Sequence, residues 1–289
     1  MNPVPSNNRI KSQAGAATGQ LMLVATPIGN LGDITLRALE ALKSADLVAC
    51  EDTRTTAKLL NHYGITTRTI AYHEHNEAAA TQQLLGKLAA GMTIALVSDA
   101  GTPLLSDPGA RLVAAAIEAG VKVTPLPGAS ALLAALTIAG MPSDQFYFAG
   151  FIPQKTKPRE ALLASLKSLP ATLVFYEAPH RLTETLGYFE QAFGDRQAAV
   201  ARELTKLYEE CRRATLSGLI AHYTQTPPKG ECVILVHGAS PQAEMDDAAI
   251  DAALRDAMQR LSVKEAVAEV TAVSGRARSA IYQRALELK

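Results

Sequence analysis

The sequence predicts an α/β protein: two α/β domains followed by a small helical domain. Two observations carry this expectation. Short apolar runs alternate with longer stretches of helical periodicity through most of the chain. The alternation then stops, and residues 246–289 contain no strand-like run. In the first domain, strand-like runs fall at 21–25, 47–50, 69–71, 93–97 and 121–124. Between them the spacing is helical, as in residues 77–90, where Leu84, Leu85 and Leu88 share a face. Pro125-Leu-Pro-Gly128 reads as a hinge, which sets the domains at 21–127 and 128–239. The second domain has runs at 146–151, 171–176, 198–202 and 232–237, joined by longer helices, and reads as a mixed sheet.

The tail, 246–289, fits two or three helices. Ser262 to Gly275 followed by Arg276 to Tyr282 has the outline of helix, glycine turn, helix, as in a helix-turn-helix. From Arg260 onward there are six basic residues (Arg260, Lys264, Arg276, Arg278, Arg284, Lys289) against three acidic ones. A nucleic-acid contact and a solvated helical appendage both fit that pattern. At the other end, residues 1–20 are rich in Asn, Ser, Gly, Ala and Pro without an apolar stretch, which reads as a disordered leader.

Composition narrows the classes. Hydrophobic residues make up 48% of 289, enough for substantial cores. Lys plus Arg and Asp plus Glu are 28 each, so no global charge advertises RNA coating, although a local basic patch is compatible. Cys50, Cys211 and Cys232 match no zinc or redox spacing and suit reduced thiols in the cytoplasm. No apolar run approaches the roughly 18–20 residues of a membrane span.

Chemistry concentrates where three strand-like runs end. The run 93–97 opens into Ser98-Asp-Ala-Gly-Thr-Pro-Leu-Leu-Ser-Asp-Pro-Gly109, with Arg111 beyond. A structural turn needs only Gly, Pro or Asn, so the charges of Asp99, Asp107 and Arg111 point to a ligand in the crevice past the strand ends. The run 21–25 opens into Thr26-Pro-Ile-Gly-Asn-Leu-Gly-Asp33, after which Asp33 or Thr35 is placed to cap a helix. The run 121–124 leads to Pro125-Leu-Pro-Gly-Ala-Ser130. The glycines are at the wrong spacing for G-x-G-x-x-G and no Gly-Lys-Ser/Thr follows, so neither nucleotide-phosphate motif is present.

Together these loops resemble the tetrapyrrole methylase-like, S-adenosylmethionine-dependent methyltransferases. Members that methylate corrin precursors typically carry Gly-Pro-Gly-Asp in the first loop and Gly-Asp-Pro in the second. The residues here instead follow the branch acting on ribosomal RNA. Glu51-Asp-Thr-Arg54, His73-Glu-His-Asn76, Phe175-Tyr-Glu177 with His180-Arg181, Ala201-Arg-Glu-Leu-Thr-Lys206 and Lys229-Gly-Glu231 add to that resemblance. It implies a cofactor, S-adenosyl-L-methionine, in a cleft between the two domains and held mostly by main chain. On that basis the expected cofactor residues are Pro27, Asp99, Ala100, Gly101, Thr102, Ala129 and Ser130, with Tyr176, Glu177, Gly230 and Glu231 from the second domain. No metal is signalled. The resemblance further implies a homodimer acting on small-subunit ribosomal RNA or the assembled small subunit, at the ribose 2′-hydroxyl of a cytidine in the decoding region.

A ribose hydroxyl is barely acidic, so a base and a cation near the developing oxyanion would help. Arg54, His73, Glu74, Arg181, Arg202 and Lys206 are the substrate-handling candidates; Glu51 and Asp52 share the same strand end, and no base is singled out. Each has a bland alternative: a helix-start ion pair for Glu51 and Arg54, a salt network for Arg202, Glu203 and Lys206. A target base would stack on Tyr72, Tyr176 or an Arg plane. Two rival functions are a tetrapyrrole methyltransferase without need of the tail, and a non-enzymatic sensor whose α/β body binds a nucleotide.

Overall fold

A computed structural model describes residues 19–239 and 245–288. The leader read from residues 1–20 falls, up to residue 18, outside the described residues. The chain forms two compact units, one running up to Ile138 and including Ala201–Glu210, the other made of Ala139–Val200 and the chain from Cys211 on.

The first unit is built on five parallel strands: β1 (Gln20–Val24), β2 (Leu47–Cys50), β3 (Thr69–Ala71), β4 (Thr93–Val97) and β5 (Lys122–Leu126). Their order is β3-β2-β4-β1-β5. Parallel strands covered on both faces read as continuous apolar runs, and β2 is buried at all four positions. Side chains of β4 alternate between two cores. Ala95 and Val97 join Val24, Leu42, Val48 and Leu60; Ile94 and Leu96 join Leu21, Leu84, Leu88 and Leu112.

Those cores place the helices. α1 (Leu36–Ser44) and α2 (Thr53–His62) lie on the first face, α3 (Glu77–Ala89) and α4 (Ala110–Glu118) on the second. Strands β1 and β4 are neighbours, yet the helices after them turn to opposite faces. The chain therefore diverges at this strand pair, the topological switch point where α/β sheets form a crevice. A fifth helix, α5 (Ala131–Ile138), follows β5.

The second unit carries a mixed sheet of β6 (Phe146–Phe151), β7 (Thr172–Glu177), β8 (Gln197–Arg202), β9 (Glu210–Thr215) and β10 (Cys232–Val236). Its order is β6-β7-β10-β8-β9, with β6 parallel and β10 antiparallel to β7. α6 (Thr156–Leu166), α7 (Leu182–Phe193) and α8 (Leu216–Gln225) bury Leu163, Phe189 and Leu219 against Phe175, Val200 and Ile234. Strand β9 was not expected from the sequence. Its residues, Glu-Cys-Arg-Arg-Ala-Thr, carry charge at an edge position, where charge blocks edge-to-edge pairing and hides the strand pattern.

The tail is three helices, α9 (Asp247–Arg260), α10 (Val263–Ser274) and α11 (Arg278–Glu287), around Ile250, Leu254, Val267, Val270 and Ile281. Ser262 and Glu265 form a capping box at the start of α10, and Gly275 ends it at φ +68°. No helix among the described residues is long and apolar enough to cross a membrane.

Candidate active site at the switch point

The three loops named from the sequence meet, and backbone groups stitch them. Thr26 leaves β1 and forms an isolated antiparallel bridge with Gly101 of the β4 loop: Thr26 N donates to Gly101 O at 2.9 Å and Gly101 N to Thr26 O at 3.0 Å. The Thr26 hydroxyl donates to Ser98 O at 3.1 Å, and the Ser98 hydroxyl to Gly101 O at 3.1 Å. Thr102 Oγ1 then donates to Ala129 O at 3.2 Å, tying the second loop to the third. Gly128 packs so closely on β1 that a Cβ there would lie 2.9 Å from Ala25 Cβ. Gly101 has φ +82°, a conformation that costs other residues energy, and an added Cβ would face Ile28 at 3.4 Å and Ala129 O at 3.8 Å.

Beyond the stitching, Pro27 and Thr102 are half-buried and Ala100 is exposed. Ser130 is buried and caps α5, accepting from Leu133 N at 3.4 Å. This is a cradle of small residues and main-chain groups that lets the polar groups of a ligand such as S-adenosylmethionine approach the backbone closely. Among the described residues no cluster of three or more His, Cys, Asp or Glu is placed to hold a metal.

A ring of ionisable groups borders the cradle. Asp99 Oδ1 accepts from Asp52 N at 3.0 Å, joining the ends of β2 and β4. Asp52 caps α2 and binds Arg54 through Nη2 at 2.7 Å and Nε at 3.1 Å, which holds its carboxyl down to about 2. The cap and ion-pair role is thus taken by Asp52, where the sequence reading had offered Glu51 for it. Glu51 is half-buried instead, and burial, followed by the Asp99 charge, pushes its carboxyl up, with His73 partly offsetting this. His73 is fixed at the end of β3, its N–H donating to Asn76 Oδ1 at 2.9 Å. Its Nδ1 is buried without a partner among the described residues. Glu74 is exposed.

The hairpin between β8 and β9 belongs to this unit. Arg202 Nε meets Glu210 Oε2 at 2.7 Å and Lys206 Nζ meets Glu203 Oε1 at 2.8 Å. Both pairs are local to the hairpin. Glu203 and Thr205 have φ of +50° and +65°, and Thr205 Oγ1 is buried and unpartnered. Strain of this kind in a β-branched residue gathers at functional sites.

The remaining candidates lie in the second unit. Glu177 is 1% exposed and its carboxylate is fully engaged, by Thr185 Oγ1 at 2.6 Å, by Ala178 N at 2.9 Å and by Arg181 Nη1 at 3.5 Å. Arg181 also reaches Ile152 O at 3.5 Å, so the two together brace the start of α7. Tyr176 is packed edge-on against Phe148 and Phe151. Gly230 has φ +76° and Glu231 is exposed. Tyr72 is not available for stacking: it is fully buried, with its hydroxyl between Thr81 and Glu77. Sequence reasoning missed Glu77, whose Oε1 accepts from Gly109 N at 3.2 Å and closes the far end of the β4 loop. Its signal was its place in the first turn of α3, where a carboxylate is ordinary.

A parallel sheet with a glycine-bearing cradle at its switch point defines an α/β protein that binds a ligand past its strand ends. A family pattern described as "Tetrapyrrole (Corrin/Porphyrin) Methylases" matches residues 20–220, and one described as "RsmI C-terminal HTH domain" matches residues 244–289. The chain belongs to the tetrapyrrole methylase family and is an S-adenosylmethionine-dependent methyltransferase. It is 52% identical to a protein of Mesorhizobium japonicum named ribosomal RNA small subunit methyltransferase I, over 93% of this chain and 92% of that one. It is 45% identical to the protein of that name from Escherichia coli O157:H7, over 95% of this chain and 97% of that one. Among solved structures, a diphthine synthase aligns with TM-score 0.62 at 18% identity, covering 76% of this chain and 90% of its own. Uroporphyrin-III C-methyl transferase from Thermus thermophilus, complexed with S-adenyl homocysteine, aligns with TM-score 0.54 at 21% identity, covering 75% and 97%. These two likenesses speak to the fold.

Proposed function

We propose that this chain methylates small-subunit ribosomal RNA, at the ribose 2′-hydroxyl of a cytidine in the decoding region. The observation that carries the reading is identity near half over more than nine-tenths of relatives bearing that name, tail included. The tail favours RNA over a tetrapyrrole, because residues 244–289 match the pattern described as the RsmI C-terminal HTH domain. The substrate is free RNA or the assembled subunit, met in the cytoplasm, and the working form is a homodimer.

Pro27, Asp99, Ala100, Gly101, Thr102, Ala129 and Ser130 hold the cofactor, chiefly through main-chain groups of the stitched loops. S-adenosylmethionine supplies a methyl carbon already activated by its sulfonium. With the cofactor bound, the ribose oxygen would take that methyl as the carbon–sulfur bond breaks, and the role of this chain's Glu51 carboxylate would be to accept the hydroxyl proton. Glu51 suits the task because its raised pKa makes it a better proton acceptor than an ordinary carboxylate. His73 stands beside it, and Arg54 and Lys206, each held by a neighbouring carboxylate, are the cations of the same unit that would meet the substrate. Aligning nucleophile and methyl is worth several kcal/mol without further chemistry.

The test is methyl transfer from labelled S-adenosylmethionine to small subunits isolated from cells lacking this protein, with digestion to nucleosides. Label in 2′-O-methylcytidine is the expected result. Label on a base would refute the ribose chemistry, and absence of label would refute the substrate.

A further inference from the structure

The tail was the segment whose charge suggested RNA contact, yet three of its arginines serve the tail itself, while Arg278 and Lys264 stay exposed. Arg260 binds Asp256 at 2.9 Å and Glu269 at 3.2 Å, Arg276 binds Asp247 at 3.1 Å, and Arg284 binds Asp247 at 2.8 Å and also Asp251. Guanidinium charge spent on internal carboxylates is largely lost to a phosphate backbone. A different segment carries uncommitted charge. Residues 154–167 hold Lys155, Lys157, Arg159 and Lys167 against one carboxylate, Glu160, in a chain whose net charge is zero.

The placement of these cations costs the fold something. α6 begins at Thr156, its N-cap is Lys155 with no side-chain cap, and no acidic residue stands in its first turn. A helix N-terminus is the positive end of the macrodipole, so each cation there is unfavourable. Lys155 and Lys157 are exposed and make no ion pair among the described residues that would offset this. Arg159 is fixed differently: its guanidinium lies 3.7 Å over the Tyr188 ring and donates to Gln154 O at 3.0 Å. Beyond it a shallow groove runs between α6 and α7 along Leu163, Gln191 and Lys167. Local rules broken without internal compensation mark a surface made for something else.

We propose that the first turn of α6, with Lys155, Lys157 and Arg159, grips the phosphate backbone of the ribosomal RNA substrate. The inference rests on the RNA reading above and adds where that RNA is held. Three cations on one short turn match a polyanion, and the backbone contacts they make position the RNA without reading its sequence.

The test is steady-state methylation of small subunits by the full chain, comparing wild type, Lys155→Glu/Lys157→Glu and the neutral Lys155→Gln/Lys157→Gln. Lys43→Glu/Lys122→Glu, at exposed positions of the first unit, is the charge control. The α6 reversal should raise KM for the subunit at least tenfold, leave the dissociation constant for S-adenosylmethionine unmoved, and flatten the salt dependence by about 0.7–0.9 per lost phosphate contact. The Gln pair should raise KM less, with a melting temperature equal to or above wild type, since the dipole conflict is relieved. KM within twofold of wild type, or a rise matched by the control pair, would overturn the proposal while wild-type labelling of RNA left the RNA reading standing. Absence of labelling by wild type would instead remove that reading, and this proposal with it.

Discussion

Gly29 lies directly beneath the side chain of Lys206: a Cβ added at Gly29 would sit 2.6 Å from Lys206 Cγ, 2.8 Å from Cε and 3.0 Å from the Leu204 carbonyl. The first loop and the β8–β9 hairpin are thus in contact only because residue 29 has no side chain. Gly29→Ala should cost about 1–3 kcal/mol, the range for inserting a methyl into a packed contact. In a Lys206→Ala background the flexible half of the clash is gone, and the same substitution should cost less than half as much. Urea unfolding of the four proteins gives the coupling. Strictly additive costs would mean that the hairpin yields without resistance.

Gly101 separates backbone strain from ligand recognition. Alanine at φ +82° carries a penalty of roughly 1–2 kcal/mol. Gly64 is at φ +63° with open space around it, so Gly64→Ala should cause a similar loss of stability. Only Gly101→Ala should also weaken S-adenosylmethionine binding, by tenfold or more, because it shifts the Thr26 bridge and the carbonyl side of Ala129. Calorimetric titration of both variants checks this. Equal affinities would place the cofactor elsewhere.

Much of this arrangement was legible before the structure. The β2 strand is apolar throughout, and β1 and β4 are apolar after their first residues, Gln20 and Thr93, because both faces are covered; their exits stood out as small-residue loops. What joins the loops was not legible. The Thr26–Gly101 bridge is made by main-chain atoms, which every residue possesses, so no side-chain pattern reports it. Glu177 reads as a site residue because it is a carboxylate at a strand end, and its bond to Thr185 eight residues on leaves no trace in that pattern. Arg276 and Arg284 of the tail read as free charge since their partners Asp247 and Asp251 lie 29 to 37 residues away in the chain.

The Asp52–Arg54 pair gives a pH signature. Arg54 holds Asp52 at about 2, below its ordinary 3.8. A carboxyl depressed in the fold stabilises it above the unfolded value, and that contribution is lost as pH falls from about 3.8 through about 2. Arg54→Ala should move the Asp52 titration upward toward 3.8, seen in the side-chain carboxyl shift by NMR, and move the acid limb of stability with it. Both groups are solvent-accessible, so raising the salt concentration in wild type should shift the titration in the same direction.

Glu51 shows the opposite sign, which makes it the sharper test of the chemistry. Burial raises its carboxyl above 4.5, so the ionised form is the strained one in the folded protein. The associated stability is present below the unfolded value and is lost as pH rises through the higher folded value. Glu51→Gln removes the strained charge, and the variant should be at least as stable as wild type at neutral pH. Its methyl transfer should nonetheless fall by about 10²–10⁴-fold in kcat, the usual worth of a positioned base. In wild type kcat should decline as pH drops through the raised Glu51 pKa, and in Glu51→Gln that limb should disappear. Tm, kcat against pH and cofactor affinity measured on the same two proteins separate the roles: a group that merely supports the fold would lose stability and activity together, whereas a base loses activity alone.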